Sequence, residues 1–159
     1  MEITLDELYE LEKPLLIDVR TPAEFEEDHL PGAINLPVLS NEERDRVGTI
    51  YHQESQFKAR RIGAGLICRN VPEILEEIEI RRSDEQPLVL YCWRGGNRSK
   101  SLAIILDNNG YPTYRLTGGY KSYRKRVHSF FEERQWPGQL VTVYGLTGAG
   151  KTQLLHLLN

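Results

Sequence analysis

The run from Val89 to Ser101, Val-Leu-Tyr-Cys-Trp-Arg-Gly-Gly-Asn-Arg-Ser-Lys-Ser, limits the possible folds more than any other part of the chain. Leu88 to Tyr91 is a wholly apolar run suited to a buried strand, and the apolar positions from Leu102 to Leu106 suit a helix that packs back on it. Cys92 falls where one becomes the other. If the amides of Trp93 to Ser99 turn inward, they form an anion-binding concavity closed by the positive end of the following helix. Such a concavity can hold a thiolate.

The remaining segments supply partners for that strand. Thr4 with Glu7, Thr21 with Glu24 and Ser40 with Glu43 each have the spacing of a capping box, and Pro22 sits at a first helical position where its missing amide costs nothing. Leu15 to Val19 reads as a short strand. His29 to Pro37 reads as a turn and then a strand so short that the interior of a parallel sheet is its expected place. Helix-forming residues run past Tyr51 and His52 until Gly63 and Gly65 interrupt them, and Pro72 is expected to open a further helix through Ile80. Asn108-Asn109-Gly110 stops the helix after Cys92, and Thr113 to Leu116 is another strand. This alternation predicts an α/β fold, a parallel central sheet with helices on both faces, whose ligands bind at the carboxyl ends of the strands. Cys92 lies at such an end.

Several signatures together resemble the rhodanese family: Asp18-Val19-Arg20 with Glu24 and Phe25, then His29-Leu-Pro-Gly-Ala-Ile-Asn-Leu-Pro37, the cysteine loop, and Leu116-Thr-Gly-Gly-Tyr120. The resemblance implies a rhodanese-like domain over residues 1–136. Residues 137–159 read as a linker, a strand at Val141 to Tyr144 and the start of an incomplete second domain, with Pro137 and Gly138 at the boundary. Gly145-Leu-Thr-Gly-Ala-Gly-Lys-Thr152 fits a P-loop, in which Gly145, Gly148 and Gly150 let amides approach phosphate, Lys151 reaches the outer phosphates and Thr152 can supply a magnesium ligand. The chain is therefore expected to be the front portion of a longer protein.

A rhodanese domain followed at once by a P-loop, with Tyr91-Cys-Trp-Arg-Gly-Gly96 and Gly118-Gly-Tyr-Lys-Ser-Tyr-Arg124, resembles the tRNA 2-selenouridine synthase family. That resemblance implies replacement of sulfur by selenium at wobble 2-thiouridine of tRNA. It also implies selenophosphate as co-substrate and geranyl diphosphate for an S-geranylated intermediate. No tightly bound cofactor is expected, and a nucleotide or diphosphate at the P-loop is expected only in the complete protein.

Composition bounds the alternatives. A net charge of −3 over 159 residues excludes a globally basic nucleic-acid binder, so any RNA must meet a local patch. Lys121, Tyr123 and Arg124, within a basic run interleaved with tyrosines, are the candidates for tRNA contact. The two cysteines have neither disulfide-framework nor zinc spacing, no metal site is expected, and the acidic start is unlike a signal peptide. A cytoplasmic protein is expected.

The chemistry centres on Cys92. A thiol is a weak nucleophile until ionised, and the loop amides, the helix start and Arg98 favour its thiolate. It could then carry sulfur or selenium as a persulfide or selenylsulfide. Trp93, Arg94, Gly95, Gly96, Asn97 and Ser99 complete the anion-binding loop, with Arg94 and Arg98 the guanidinium groups for selenophosphate and Ser99 the expected helix cap. Cys68 is expected to be a buried small hydrophobe. Five residues separate Cys92 from Arg98, a spacing shared with dual-specificity phosphatases and arsenate reductases. A phosphatase-like enzyme, or a rhodanese-like module that binds without catalysis, are the alternatives.

Overall fold

The chain begins its first three helices with one device. Thr4, Thr21 and Ser40 each accept a bond from the amide three residues on, while Glu7, Glu24 and Glu43 reach back to the cap amide. Each box satisfies two of the amides that a helix start leaves unpaired. The computed structural model describes residues 1–133, 138–139 and 141–158. They divide into two compact units, Met1–Val127 and His128–Asn159. Pro137, the expected boundary residue, lies outside the described residues.

The first unit is a five-stranded, wholly parallel sheet in the order β1-β5-β4-β2-β3. Its strands are β1 (Glu2–Ile3), β2 (Leu15–Asp18), β3 (Ile34–Asn35), β4 (Leu88–Tyr91) and β5 (Thr113–Leu116). The helices of this unit are α1 (Leu5–Glu10), α2 (Pro22–Glu27), α3 (Asn41–Gln53), α4 (Gln56–Arg81), α5 (Asn97–Asn108) and α6 (Gly119–Glu132), the last running on into the second unit. Every residue of β4 is fully buried, as a central strand covered on both faces must be. Leu88 and Leu90 pack with Ile17, Leu102, Leu106 and the apolar side of α4. Val89 and Tyr91, pointing the other way, pack with Leu5, Leu8, Leu116 and Tyr120.

Four expectations change. The two-residue β3 pairs only with β2 and forms an edge, where a very short strand leaves few unpaired groups for another chain to join. β1, whose two residues carry no strand signal in the sequence, forms the opposite edge beside β5. Gly63, Gly65 and Pro72 neither interrupt nor open a helix, because α4 is continuous over 26 residues. The buried face through Ala59, Leu66, Ile67, Val71, Ile74 and Ile78 outweighs the roughly 1 kcal/mol that a helical glycine costs. Pro72 is exposed, so the carbonyl it leaves without a helical donor, that of the equally exposed Cys68, can face water. Cys68 is therefore a surface residue, not a core one.

The second unit carries α7 (Lys151–Leu157) behind the glycine-rich turn. The strand expected over Val141 to Tyr144 is not formed. Strands exist as members of a ladder, and among the described residues nothing pairs with this segment, whose Val141 and Tyr144 are 81% and 96% exposed.

Candidate active site

The carboxyl end of β4 delivers Cys92 into a loop that turns back on it. The Gly96 amide donates to Cys92 Sγ at 3.1 Å, and Ser99 Oγ lies 3.3 Å from the same sulfur. Ser99 is wholly buried and donates to the Gly96 carbonyl at 3.2 Å. Gly96, not Ser99, is the N-cap of α5, and no side chain caps that helix. A serine hydroxyl has one proton and two lone pairs, which gives this contact two forms. Beside a thiol it accepts from S–H and donates to Gly96. Beside a thiolate it can rotate to donate to sulfur, and Gly96 is not orphaned because its carbonyl keeps the Lys100 amide at 3.1 Å.

A second glycine pair presses the loop into shape. The turn from β5 into α6 places Gly118 and Gly119 at φ +74° and +57°. A Cβ on Gly119 would lie 2.1 Å from the Cys92 carbonyl and 2.7 Å from the Gly95 amide, so only glycine allows this approach. The amides of Tyr120 and Lys121 then bond the carbonyls of Cys92 and Trp93 at 2.9 and 3.0 Å, and Arg115 Nη1 bonds that of Gly95 at 3.2 Å.

Beneath the loop is a buried ionic cluster. Arg20 Nε and Nη2 grip the Asp18 carboxylate, at 2.9 and 2.7 Å to Oδ2, with both side chains almost fully buried. Nη2 also donates to the Asp28 carbonyl at 2.6 Å, and the guanidinium stands 4.1 Å from the Tyr120 ring centroid. Burial opposes the Arg20 charge, but Asp18 outweighs it and raises its pKa. Tyr120 donates to the Asp28 carboxylate, and its pKa is pushed up to about 12, by burial first and by this acceptor second. Trp93 lies against Tyr120 with ring centroids 5.4 Å apart. Asp18 and Arg20 thus act as supports beneath the loop.

Arg98 is the surprise of the site. Its guanidinium forms a two-point pair with Glu24, at 2.5 Å from Nη1 to Oε2 and 3.1 Å from Nη2 to Oε1. Burial works against the Glu24 charge, but the bonds and charge of Arg98 prevail and hold the carboxyl below its ordinary value. Glu24 is legible in sequence as a capping-box member, while its partner 74 residues away leaves no local signal.

Of the other expected site residues, Arg94 and Asn97 are exposed and Gly95 sits at φ +68°. Lys121 and Arg124 are exposed on α6, whereas Tyr123 is half-buried and packs beside Tyr120, so it does not present a free face. In the second unit Gly148 and Gly150 adopt φ +81° and +76°, and Thr152 is exposed. Lys151 Nζ bonds the carbonyls of Gly145 and Leu146 at 2.9 and 2.7 Å.

The fold and the cysteine loop define a class. Residues 4–126 match the model of the rhodanese-like domain, and the chain belongs to that family. Among individual relatives, it is 38% identical over 142 residues to a tRNA 2-selenouridine synthase of Nitrosomonas europaea and 36% identical over 155 residues to one of Bdellovibrio bacteriovorus. These matches cover 89% and 96% of this chain but 37% and 40% of those proteins, so the chain spans about two fifths of the length of the curated relatives it matches. A crystal structure of the N-terminal domain of a Clostridium difficile protein, named for ATP/GTP binding, is 37% identical. It superposes with a TM-score of 0.72 over 80% of this chain and 98% of that one. No helix among the described residues is long and apolar enough to cross a membrane.

Proposed function

We propose that this chain is the cysteine-bearing part of a tRNA 2-selenouridine synthase, in which Cys92 is the nucleophile that draws selenium from selenophosphate for the wobble 2-thiouridine of tRNA. The observation that carries the reading is the Cys92 sulfur, held by the Gly96 amide and the Ser99 hydroxyl at the mouth of a Cys-x5-Arg loop. The name shared by its relatives supports the acceptor.

The electron count selects the covalent step. Carrying selenium as a selenylsulfide would require either reduction of phosphorus or an added oxidant. Attack of the Cys92 thiolate on phosphorus requires neither. The S–P bond forms, the P–Se bond breaks, and hydrogen selenide leaves with the bonding pair. Selenide adds to C2 of the thiouridine, or of its S-geranylated form, and the sulfur group leaves. Water then cleaves the S–P bond, releasing phosphate and restoring the thiolate. The five-residue spacing between Cys92 and Arg98 suits a tetrahedral oxyanion, and Arg98, once parted from Glu24, can supply the matching guanidinium. The P-loop residues would hold a di- or triphosphate in the complete protein, through backbone amides and Lys151.

Incubation with selenophosphate, followed by intact mass and phosphorus and selenium analysis, tests the step. A phosphorus-bearing adduct on Cys92 is expected. A selenium-bearing one would replace the proposed step with a selenylsulfide, and an inert thiol would favour a binding module. Turnover of simple phosphomonoesters would favour a phosphatase. In the full-length enzyme Cys92→Ala should abolish selenium incorporation, and continued incorporation would overturn the role of Cys92.

A further inference from the structure

Beside the cysteine loop, a hollow of about 330 Å³ lies between α3, α4 and the first turn of α5. Its walls are small or apolar: Val47 from α3, Ala59, Gly63, Ala64 and Ile67 from α4, and Leu39 before them. At the α5 end it meets Asn97, Arg98 and Ser101, one turn from the residues that hold the Cys92 sulfur. It shares Leu39, Val47, Tyr51 and Arg98 with a shallower hollow of about 280 Å³ that adds Arg44, Gly48 and His52. Arg60 stands exposed on the rim, and Tyr51 is 41% exposed.

We infer that this paired hollow seats the acceptor nucleotide, a pyrimidine base in the apolar part and its flanking phosphates on Arg60 and Arg44. The inference rests on the function proposed above and gives the acceptor its place. A base that reacts near Cys92 must lie against the loop, and this hollow ends on the loop's own last residues. Flatness is favoured by the half-open Tyr51 ring and by guanidinium groups, both of which stack on bases. A base is favoured over a hydrocarbon chain by Asn97 and Ser101. Their amide and hydroxyl can pair the edge of a uracil ring, whereas a hydrocarbon would bury them without partners. The size is at the lower end of the roughly 300–1,000 Å³ usual for ligand sites. Two other clefts do not compete. One, of about 440 Å³, is lined by Glu43, Glu73 and Glu77 against a single cation, Arg81, which is already paired with Glu77, and its net negative charge repels phosphate. The other, of about 390 Å³, lies at Lys13 and Gln86, by the amino ends of β2 and β4 and away from Cys92.

Full-length enzyme with an anticodon stem-loop RNA carrying 2-thiouridine provides the test. Ala64→Trp fills the hollow from an exposed position, and Arg60→Glu reverses the rim charge. Selenophosphate should still modify Cys92 in both, which certifies the fold and the donor half-reaction. Selenium transfer to the RNA should fall at least about tenfold in Ala64→Trp, in line with the loss of one stacked base. Arg60→Glu should weaken RNA binding and flatten its salt dependence. Wild-type transfer by Ala64→Trp would overturn the inference, as would an effect confined to Arg60, which would mark a phosphate-contact surface without a base site. Should Ala64→Trp lose the donor half-reaction, Tyr51→Ser decides in the same way. If the unaltered enzyme reacts with selenophosphate but no RNA accepts selenium, the functional reading fails instead.

Discussion

Two glycine-rich anion loops lie in this chain, and they differ in what surrounds them. The loop from Cys92 to Ser99 follows a strand buried on both faces, opens a 12-residue helix, and is bonded at three carbonyls by the turn into α6 and by Arg115. The loop from Gly145 to Thr152 follows a segment with no ladder among the described residues and opens a seven-residue helix that buries nothing. Its lysine closes on its own loop carbonyls. Both loops match an anion-binding pattern in sequence. Among the described residues, only the first is surrounded by the packing that holds a pattern in a fixed shape.

Substitutions can sharpen the contrast, beginning with Gly119→Ala. With no room for a Cβ between Cys92 and Gly95, this change should cost about 3 kcal/mol or more and abolish the reactivity of Cys92, read by thermal melting and by alkylation. Ser99→Ala removes one donor to the thiolate, and the rate of Cys92 alkylation at neutral pH should drop by about tenfold or more, in keeping with roughly 1.5–3 kcal/mol for a hydrogen bond to a charged group. Unchanged alkylation would remove Ser99 from the nucleophile's support. Glu24→Gln should destabilise the fold by about 1–3 kcal/mol at pH 7. Because the Glu24 carboxyl titrates below its ordinary value in the fold, this stabilisation is present above the unfolded value of about 4.3 and is lost as pH falls through the lower folded one. Melting curves of the two proteins should therefore draw together progressively as the pH falls below the unfolded value and through the lower folded one. The smallest effect belongs to the other loop. Gly148 has open space where a Cβ would stand, so Gly148→Ala should cost only about 1 kcal/mol, the backbone strain alone, and leave Cys92 alkylation untouched. A loss as large as that of Gly119→Ala would erase the distinction between the two loops.

Much of the first unit was legible because its signals are local. Three capping boxes, the apolar run at Leu88 to Tyr91 and the stop at Asn108 to Gly110 each act within a few residues, and each appears where the pattern puts it. Sequence pattern and structure part where tertiary contacts override local preference. Gly63 and Pro72 look like helix breakers, yet the buried face of α4 carries the helix through both. The two residues of β1 are too few for any periodicity to register. Within the site, Cys92 and its loop are visible in the sequence, and the Gly118-Gly119 pair is visible as a motif. That Gly119 must touch the Cys92 carbonyl, and that Arg98 faces Glu24, are facts of juxtaposition between distant segments.

Glu24 performs two tasks with one carboxylate. Its Oε2 closes the first turn of α2 through the Thr21 amide and also receives Arg98. Local opening of that turn and release of the arginine are therefore linked events. Any anion that draws Arg98 into the cysteine loop competes with Glu24 for the guanidinium, and leaves the shared Oε2 to the Thr21 amide alone. The amide protons at the beginning of α2 become a native gauge of loop occupancy: their exchange with solvent deuterium reports, with no label on Cys92 itself, how often the arginine has changed partners.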